Sequence, residues 1–597
     1  MCRVAMAKCI GTGTKDNGKA RKPELVVALD FGTTYSGYAY AFRQQFESNN
    51  LNVTLNPAWT TSTDGLLSKK TPTSLLLNPQ GQFCAFGTKA DDKFAELAGE
   101  DQHQDWFYFR RFKMKLHSKK ELKRGLKMKD ELGKPMLAST VFSLAIRGLK
   151  EHCLDTLRSH ESVDPASFDI VWVLTVPAIW RDSAKQFMRE AAVEAGIDGR
   201  NLVLALEPEA ASLYCQLLPI NKLHTNKETR FTVSRPGTTF MVVDMGGGTA
   251  DITVQRREND GSLCELYAAT GGPWGGVGVD RQFMIFITKL MGPDVMSRFS
   301  KEHSEDLMDM YRCLETCKRT IRPESTGNIT IDIPGTLTDI YKDVFKEPFG
   351  SSFPEEFENK IKFNHGKLKI DAQIMKDCFT TITDEIKNHI KTILSEPSCS
   401  GIKTILLVGG FAESEMVSST MVTEFTDCRI VIPQDSETVV LSGAVIYGHS
   451  PGSISTRVVR YTYGVSYMLD FESGKHPENK KVEKEGRPSI CKDLFEIFVQ
   501  MGSPIKTGEV ISKVYSPARK ESKIMVIKVY ASSKKNPEFV TDEGCWKLGK
   551  LVVDLPDSEN SSELEIHERM VFGETELRVE AVEPVSGKTF SARFDFL

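Results

Sequence analysis

Two aspartates, each followed closely by glycine and hydroxyl residues, are the side chains here best suited to chemistry on a phosphate. Asp244 precedes Gly246, Gly247, Gly248 and Thr249 in VVDMGGGTADIT, and Asp30 precedes Gly32, Thr33, Thr34 and Tyr35 in LVVALDFGTTYS. Glycine has no Cβ, so its backbone N–H can close on an anion and its φ can be positive. A carboxylate at the same corner can hold a hydrated Mg²⁺ through its waters. One such corner alone reads equally well as a tight turn between two core strands. Two of them, about two hundred residues apart, imply two similar half-domains, each offering a hairpin loop to one polyphosphate. A P-loop enzyme would instead use a single loop and a helix N-terminus.

The elements that must position these side chains follow from the apolar pattern. Runs at 25–29 and 240–243 read as buried strands that deliver Asp30 and Asp244 to their ends. Buried strands are also expected at 168–176, ending in Val176-Pro177-Ala178, at 201–206, and at 404–408, running into Gly409-Gly410. At Glu207-Pro208 a strand gives way to a helix; proline suits a first helical turn, so Glu207 sits at a corner near the helix's positive end. Helical spacing marks 140–157, 310–322 and 370–394. From 457 the texture changes to short strands and turns, including 458–468, 494–499, 524–530, 548–555, 563–566, 576–581 and 589–596.

The expected class is therefore α/β: a two-lobed nucleotide-binding domain over 24–449, with lobes at about 24–220 and 237–449. A linker at 450–456, marked by SPGSIS, and an all-β sandwich-type domain at 457–597 follow. Residues 1–23 read as a flexible leader. Within it GTKDNGKA, at 13–20, imitates part of a Walker A loop, but Ala20 stands where Mg²⁺ needs a hydroxyl and no strand precedes it.

Composition narrows the function classes. Lys and Arg number 76 against 80 Asp and Glu, a net charge of −4 that does not favour nucleic-acid binding. The 13 cysteines are scattered without a CxxC pair, which argues against a zinc site or disulfide framework. No long apolar segment suggests a membrane span, so the expected compartment is reducing and cytoplasmic, with the nucleus open as well.

DFGTTYS and DMGGGTAD resemble the two phosphate loops of the actin-like ATPase superfamily, a duplicated ribonuclease H-like fold, and most closely those of the 70-kDa heat-shock chaperones. The resemblance runs over 25–448 and weakly beyond, and is nearest to the divergent, lidless heat shock 70 kDa protein 12 branch. It implies ATP and ADP as ligands, with Mg²⁺ held through water by Asp30 and Asp244. It also implies phosphate contacts from Gly32, Thr33, Thr34, Tyr35, Gly246, Gly247, Gly248 and Thr249. Asp251 and Glu207 would order the attacking water, together with a lysine from WFYFRRFKMKL: Lys115 by spacing, or Lys113. Gly275 and Gly276 are similar to the family's second glycine cluster, though its acidic pair has become Val277 and Gly278. Glu315, Lys318 and Arg319 resemble the helix that cradles adenosine, and Gly409 and Gly410 the glycines lying against the nucleoside. Glu413 stands where a second base-stacking arginine is usual.

The family relay of proline and a basic residue would map to Pro177 and Lys185. The acidic, leucine-rich linker has no counterpart. Function is thus expected to be slow, chaperone-like ATP hydrolysis coupled to a protein or peptide client of the β-domain. The alternative is a nucleotide-sensing scaffold with negligible turnover, and a small-molecule kinase is the remotest reading.

Overall fold

The computed structural model describes residues 22–60, 67–117, 122–226, 235–351, 353–484, 487–516, 523–555, 565–582 and 589–592. The Walker-like segment 13–20, nearly all of the leader, residues 563–564 and the strand end 593–596 lie outside them. Both halves of the 24–449 region start alike. Leu25–Phe31 is antiparallel to Tyr35–Phe42, with Asp30 opposite Gly37, and parallel to Ile170–Val176, which is parallel to Leu202–Leu206. Thr239–Met245 repeats the plan: antiparallel to Ala250–Arg257, with Asp244 opposite Asp251, and parallel to Thr404–Val408, which is parallel to Arg429–Pro433. Parallel strands covered on both faces must be apolar throughout, which is why these runs were readable in the sequence. Together with the helices around the two sheets, this mixed α/β arrangement fits an actin-like ATPase fold.

The period of two along a strand decides where the aspartates point. Val26 and Ala28 of one strand, and Phe240 and Val242 of the other, pack into a single core shared with helices Glu207–Cys215 and Val439–His449. Asp30 and Asp244 come next in those same rows, so both emerge from one end of the core that joins the lobes. Gly443 makes the helix crossing possible: a Cβ there would lie 1.6 Å from the carbonyl oxygen of Ala210.

The 450–456 stretch, expected as a linker, is a 3₁₀ turn at Pro451–Ser453 followed by the strand Ile454–Val458. That strand extends the second lobe's sheet, pairing parallel with Leu263–Gly272 and antiparallel with Pro504–Lys506. Within this segment Ile454 is buried, and Arg457, just after it, is buried as well. Beyond it lie an antiparallel sheet of five strands, from Thr462–Asp470 to Cys545–Asp554, and one of four, Glu509–Tyr515, Ile566–Phe572, Arg578–Val582 and Thr589–Ala592. Both contribute to one apolar core that includes Val465, Phe498, Val529, Leu551, Met570 and Val579.

Candidate functional site

A cavity of about 280 Å³ opens where the two rows end. From the first lobe it is lined by Asp30, Gly32, Thr33, Thr34, Tyr35, Lys113 and Glu207; from the second, by Asp244, Gly246, Gly247, Gly248, Thr249 and Gly276, then by Glu315, Lys318, Arg319, Gly409 and Gly410. Three of the expected residues, Lys115, Asp251 and Gly275, do not line it.

The glycines are needed because the two hairpin loops touch. A Cβ on Gly247 would meet Thr34 Oγ1 at 2.1 Å, and one on Gly248 would meet Thr33 Oγ1 at 2.5 Å. Gly275 lies behind the second loop, where its Cβ would fall 2.5 Å from the Gly247 backbone. The N–H groups of Gly275, Gly276 and Val277 donate to the carbonyls of Gly248, Gly246 and Gly247, so the start of helix Gly276–Met291 braces the loop. Gly409, at φ +87°, must lack a side chain, since a Cβ would sit 2.5 Å from Asp244 Oδ1.

Three carboxyl groups, of Asp30, Asp244 and Glu207, and the two ammonium groups of Lys70 and Lys113 form the floor. Lys113 Nζ donates to Glu207 Oε1 at 2.8 Å and lies over the ring of Trp180. Lys70 Nζ donates to Asp30 Oδ2 at 2.5 Å, and Thr175 Oγ1 donates to Asp30 Oδ1 at 2.7 Å. Asp251 accepts from the backbone N–H of Ile179 at 2.9 Å, tying the Pro177 loop to the second lobe from behind the cavity. Burial alone would raise Asp30, but Lys70 and Lys113 hold it below the ordinary carboxylate range. Burial, reinforced by Glu207, Asp251 and Asp30, pushes Asp244 well above that range, and burial lifts Glu207 to about 7 against the pull of Lys113. Among the described residues no three ligating side chains are grouped to hold a metal ion directly, so these oxygen donors would meet a divalent cation only through its waters.

Toward the other wall, Lys318 Nζ bridges Glu315 at 2.6 Å and Asp280 at 2.8 Å, and Arg319 Nε donates to Glu315 at 2.7 Å. Burial would raise Glu315, yet the two cations hold it at about 2. Two contacts cross between the lobes here: Arg111 pairs with Asp280 at 2.7 Å, and the Arg319 guanidinium lies over the Tyr35 ring at 5.4 Å. With Val277 and Gly278 in place of an acidic pair, Asp280 keeps a lobe-bridging contact. Glu413 accepts from Ser436 Oγ and the N–H of Glu437, so its carboxylate is held at the cavity wall.

The placement of the lysine corrects the spacing argument. Phe112 and Leu116 turn into the first lobe's core; Lys113 is 2% exposed and faces Glu207, while Lys115 is exposed on the short helix Met114–His117. Lys70, Phe411, Ser414, Glu437 and Val440 also line the cavity without having been expected. None of these carries a local sequence signal, because each reaches the cavity only through its place in the fold.

No protein-family model matches the chain. It is 34% identical over 623 residues to heat shock 70 kDa protein 12A of Mus musculus, an alignment covering 96% of this chain and 91% of that protein. It is also 34% identical over 630 residues to heat shock 70 kDa protein 12B of Homo sapiens, with the same coverage. A more distant similarity, 24% over 286 residues, joins 46% of this chain to 40% of chaperone protein DnaK of Metamycoplasma hominis.

Proposed function

Since this chain belongs to the 70-kDa heat-shock protein family, as a divergent member resembling heat shock 70 kDa protein 12, we propose that its cavity binds ATP and ADP with Mg²⁺ and hydrolyses ATP slowly. The observation that carries this reading is the convergence of Asp30, Asp244, Glu207 and Lys113 with two glycine loops on one cavity. Backbone N–H groups of the loops and the Thr33, Thr34 and Thr249 hydroxyls would take the phosphate oxygens. Asp30 and Asp244 would hold Mg²⁺ through water, and the ion when bound would offset phosphate charge. Glu207, poised near neutrality, would orient the attacking water, while Lys113 would stabilise charge on the terminal phosphate. Arg319 would lie on the base and Glu315 and Lys318 would face the ribose.

Coupling to a protein or peptide client of the β-region would pass through the first turn of helix Glu207–Cys215. Glu207 faces the cavity there and Glu209 holds Arg457 of the strand Ile454–Val458. No helix among the described residues is long and apolar enough to cross a membrane. A nucleotide-sensing scaffold remains the second reading, favoured by the ion pair that already occupies Asp30 and by Glu413 in the base region.

Single-turnover hydrolysis of radiolabelled ATP separates the two. Wild type is expected to release phosphate, Asp244→Asn to lose it, and Lys113→Ala to slow by about a hundredfold to a thousandfold, the usual cost of removing one donor from a developing anion. Wild-type binding without product would establish the scaffold.

A further inference from the structure

We propose that Lys70 is a built-in counter-ion for the bound polyphosphate, so that nucleotide affinity at this site depends only weakly on a divalent cation. The inference rests on the reading of the cavity as a nucleotide site and extends it. Its basis is the sheet register. Thr71–Pro72 pairs antiparallel with Tyr35–Phe42, Ser36 opposite Thr71 and Tyr35 opposite Pro72. Continued by one residue, that register sets Lys70 beside Gly37, which is itself opposite Asp30. Residues in one such row share a face of the sheet, and the middle member has no side chain, so the lysine reaches across Gly37 to the aspartate.

The arrangement is built rather than incidental. The side chains of Lys70 and Asp30 are 11% and 7% exposed, and the ammonium sits 2.5 Å from Oδ2. Thr175 donates to the other oxygen of Asp30, so each carboxylate oxygen has one partner before any ion binds. The backbone around Lys70 is anchored on both sides: Asn56 Nδ2 donates to the Lys69 carbonyl at 2.8 Å, Lys70 N–H donates to Ser68 Oγ at 3.1 Å, and Thr71 Oγ1 accepts from Thr88 N–H at 3.0 Å. Lys70 lines the same cavity as Asp244 and the glycines of both loops. An ammonium there cancels the Asp30 charge that would otherwise repel the phosphates, and an ammonium carries three N–H donors, so it can also donate to a phosphate oxygen. A metal bound by Asp244 would then add to an attraction already present.

The test is equilibrium binding of a fluorescent ATP analogue to the full chain, in Mg²⁺ and in excess chelator, for wild type, Lys70→Met and Lys70→Arg. Wild type is expected to lose less than about tenfold in affinity on chelation, Lys70→Met about a hundredfold, and Lys70→Arg to behave like wild type because it keeps the charge. A wild-type loss of about tenfold or more overturns the proposal even if Lys70→Met does not fold, and so does an equal loss in wild type and a folded Lys70→Met. Absence of binding in Mg²⁺ and chelator alike, by a wild-type chain of normal thermal stability, overturns the nucleotide reading itself and this inference with it.

Discussion

Replacing Arg457 by alanine is expected to release the strand Ile454–Val458 from helix Glu207–Cys215, at a cost of about 3–5 kcal/mol, the penalty for removing one partner of a buried ion pair. The Arg457 Nε and Nη2 atoms donate to the two oxygens of Glu209 at 2.7 Å each, and the two side chains are 8% and 5% exposed. Arg457 also donates to the carbonyl of Gly573, so one guanidinium links the helix Glu207–Cys215 to the four-stranded sheet. Its loss would strand Glu209 beside Glu265, a carboxyl that burial, aided by Glu209, has already raised to about 8. Two such groups next to the backbone N–H of Val458, which donates to Glu265 at 2.8 Å, would favour water entry over docking. Limited proteolysis within 450–458 should accelerate in Arg457→Ala. The double variant Glu209→Met with Arg457→Met should recover most of the protection, because an apolar pair leaves no charge uncompensated. Unchanged cleavage in the single variant would show that the pair does not anchor the strand.

The second large effect is expected at Glu568, in the β-region and remote from the cavity. The residue is fully buried, and among the described residues neither carboxyl oxygen has a hydrogen-bond partner. Lys513, directly opposite it in the sheet, pairs with Glu496 instead. Burial raises Glu568 to about 8 from an ordinary value of 4.5. The folded chain therefore keeps a proton that the unfolded chain releases above its lower pKa, and folding takes up a proton throughout that window. Stability contributed by this group is full below about pH 4.5 and falls as the pH rises toward about 8, by about 5 kcal/mol in total. Glu568→Gln is neutral at every pH, so its denaturation midpoint should fall less steeply between about pH 5 and pH 8 and exceed that of wild type above that range. Glu265 has the same sign and should leave a residual slope in both proteins. Identical slopes would mean that Glu568 is ionised and paired in the folded state.

What the sequence disclosed and what it hid separate along a physical line. Asp30 with Gly32 to Thr34, and Asp244 with Gly246 to Thr249, were readable because strand end, turn and chemistry are contiguous, and Glu207 because Pro208 marks the corner. Contacts made by register or packing were not. Lys70 reaches Asp30 only through the pairing of Thr71 with Ser36. Arg111 finds Asp280, and Glu209 finds Arg457, across 169 and 248 positions respectively, and no local pattern announces such partners.

Lys113 and Lys115 differ in fate because Phe112 and Leu116 choose the core-facing side, a choice that two equivalent lysines do not encode. Strand Glu509–Tyr515 escaped notice because its inward row carries Lys513 between Ile511 and Tyr515. A polar residue on the buried face erases the alternation by which a strand is recognised.

The central claim, that the cavity between the lobes is an ATP site, is tested most directly by calorimetric titration of ATP with Mg²⁺ into the full chain beside Gly247→Val. A side chain at position 247 would occupy the space of Thr34 between the two loops. Saturable binding at a single site in wild type, lost in the valine variant, is the result predicted. A wild-type chain of normal thermal stability that takes up no ATP, or a valine variant that binds it equally well, would contradict the assignment of these loops to the phosphates.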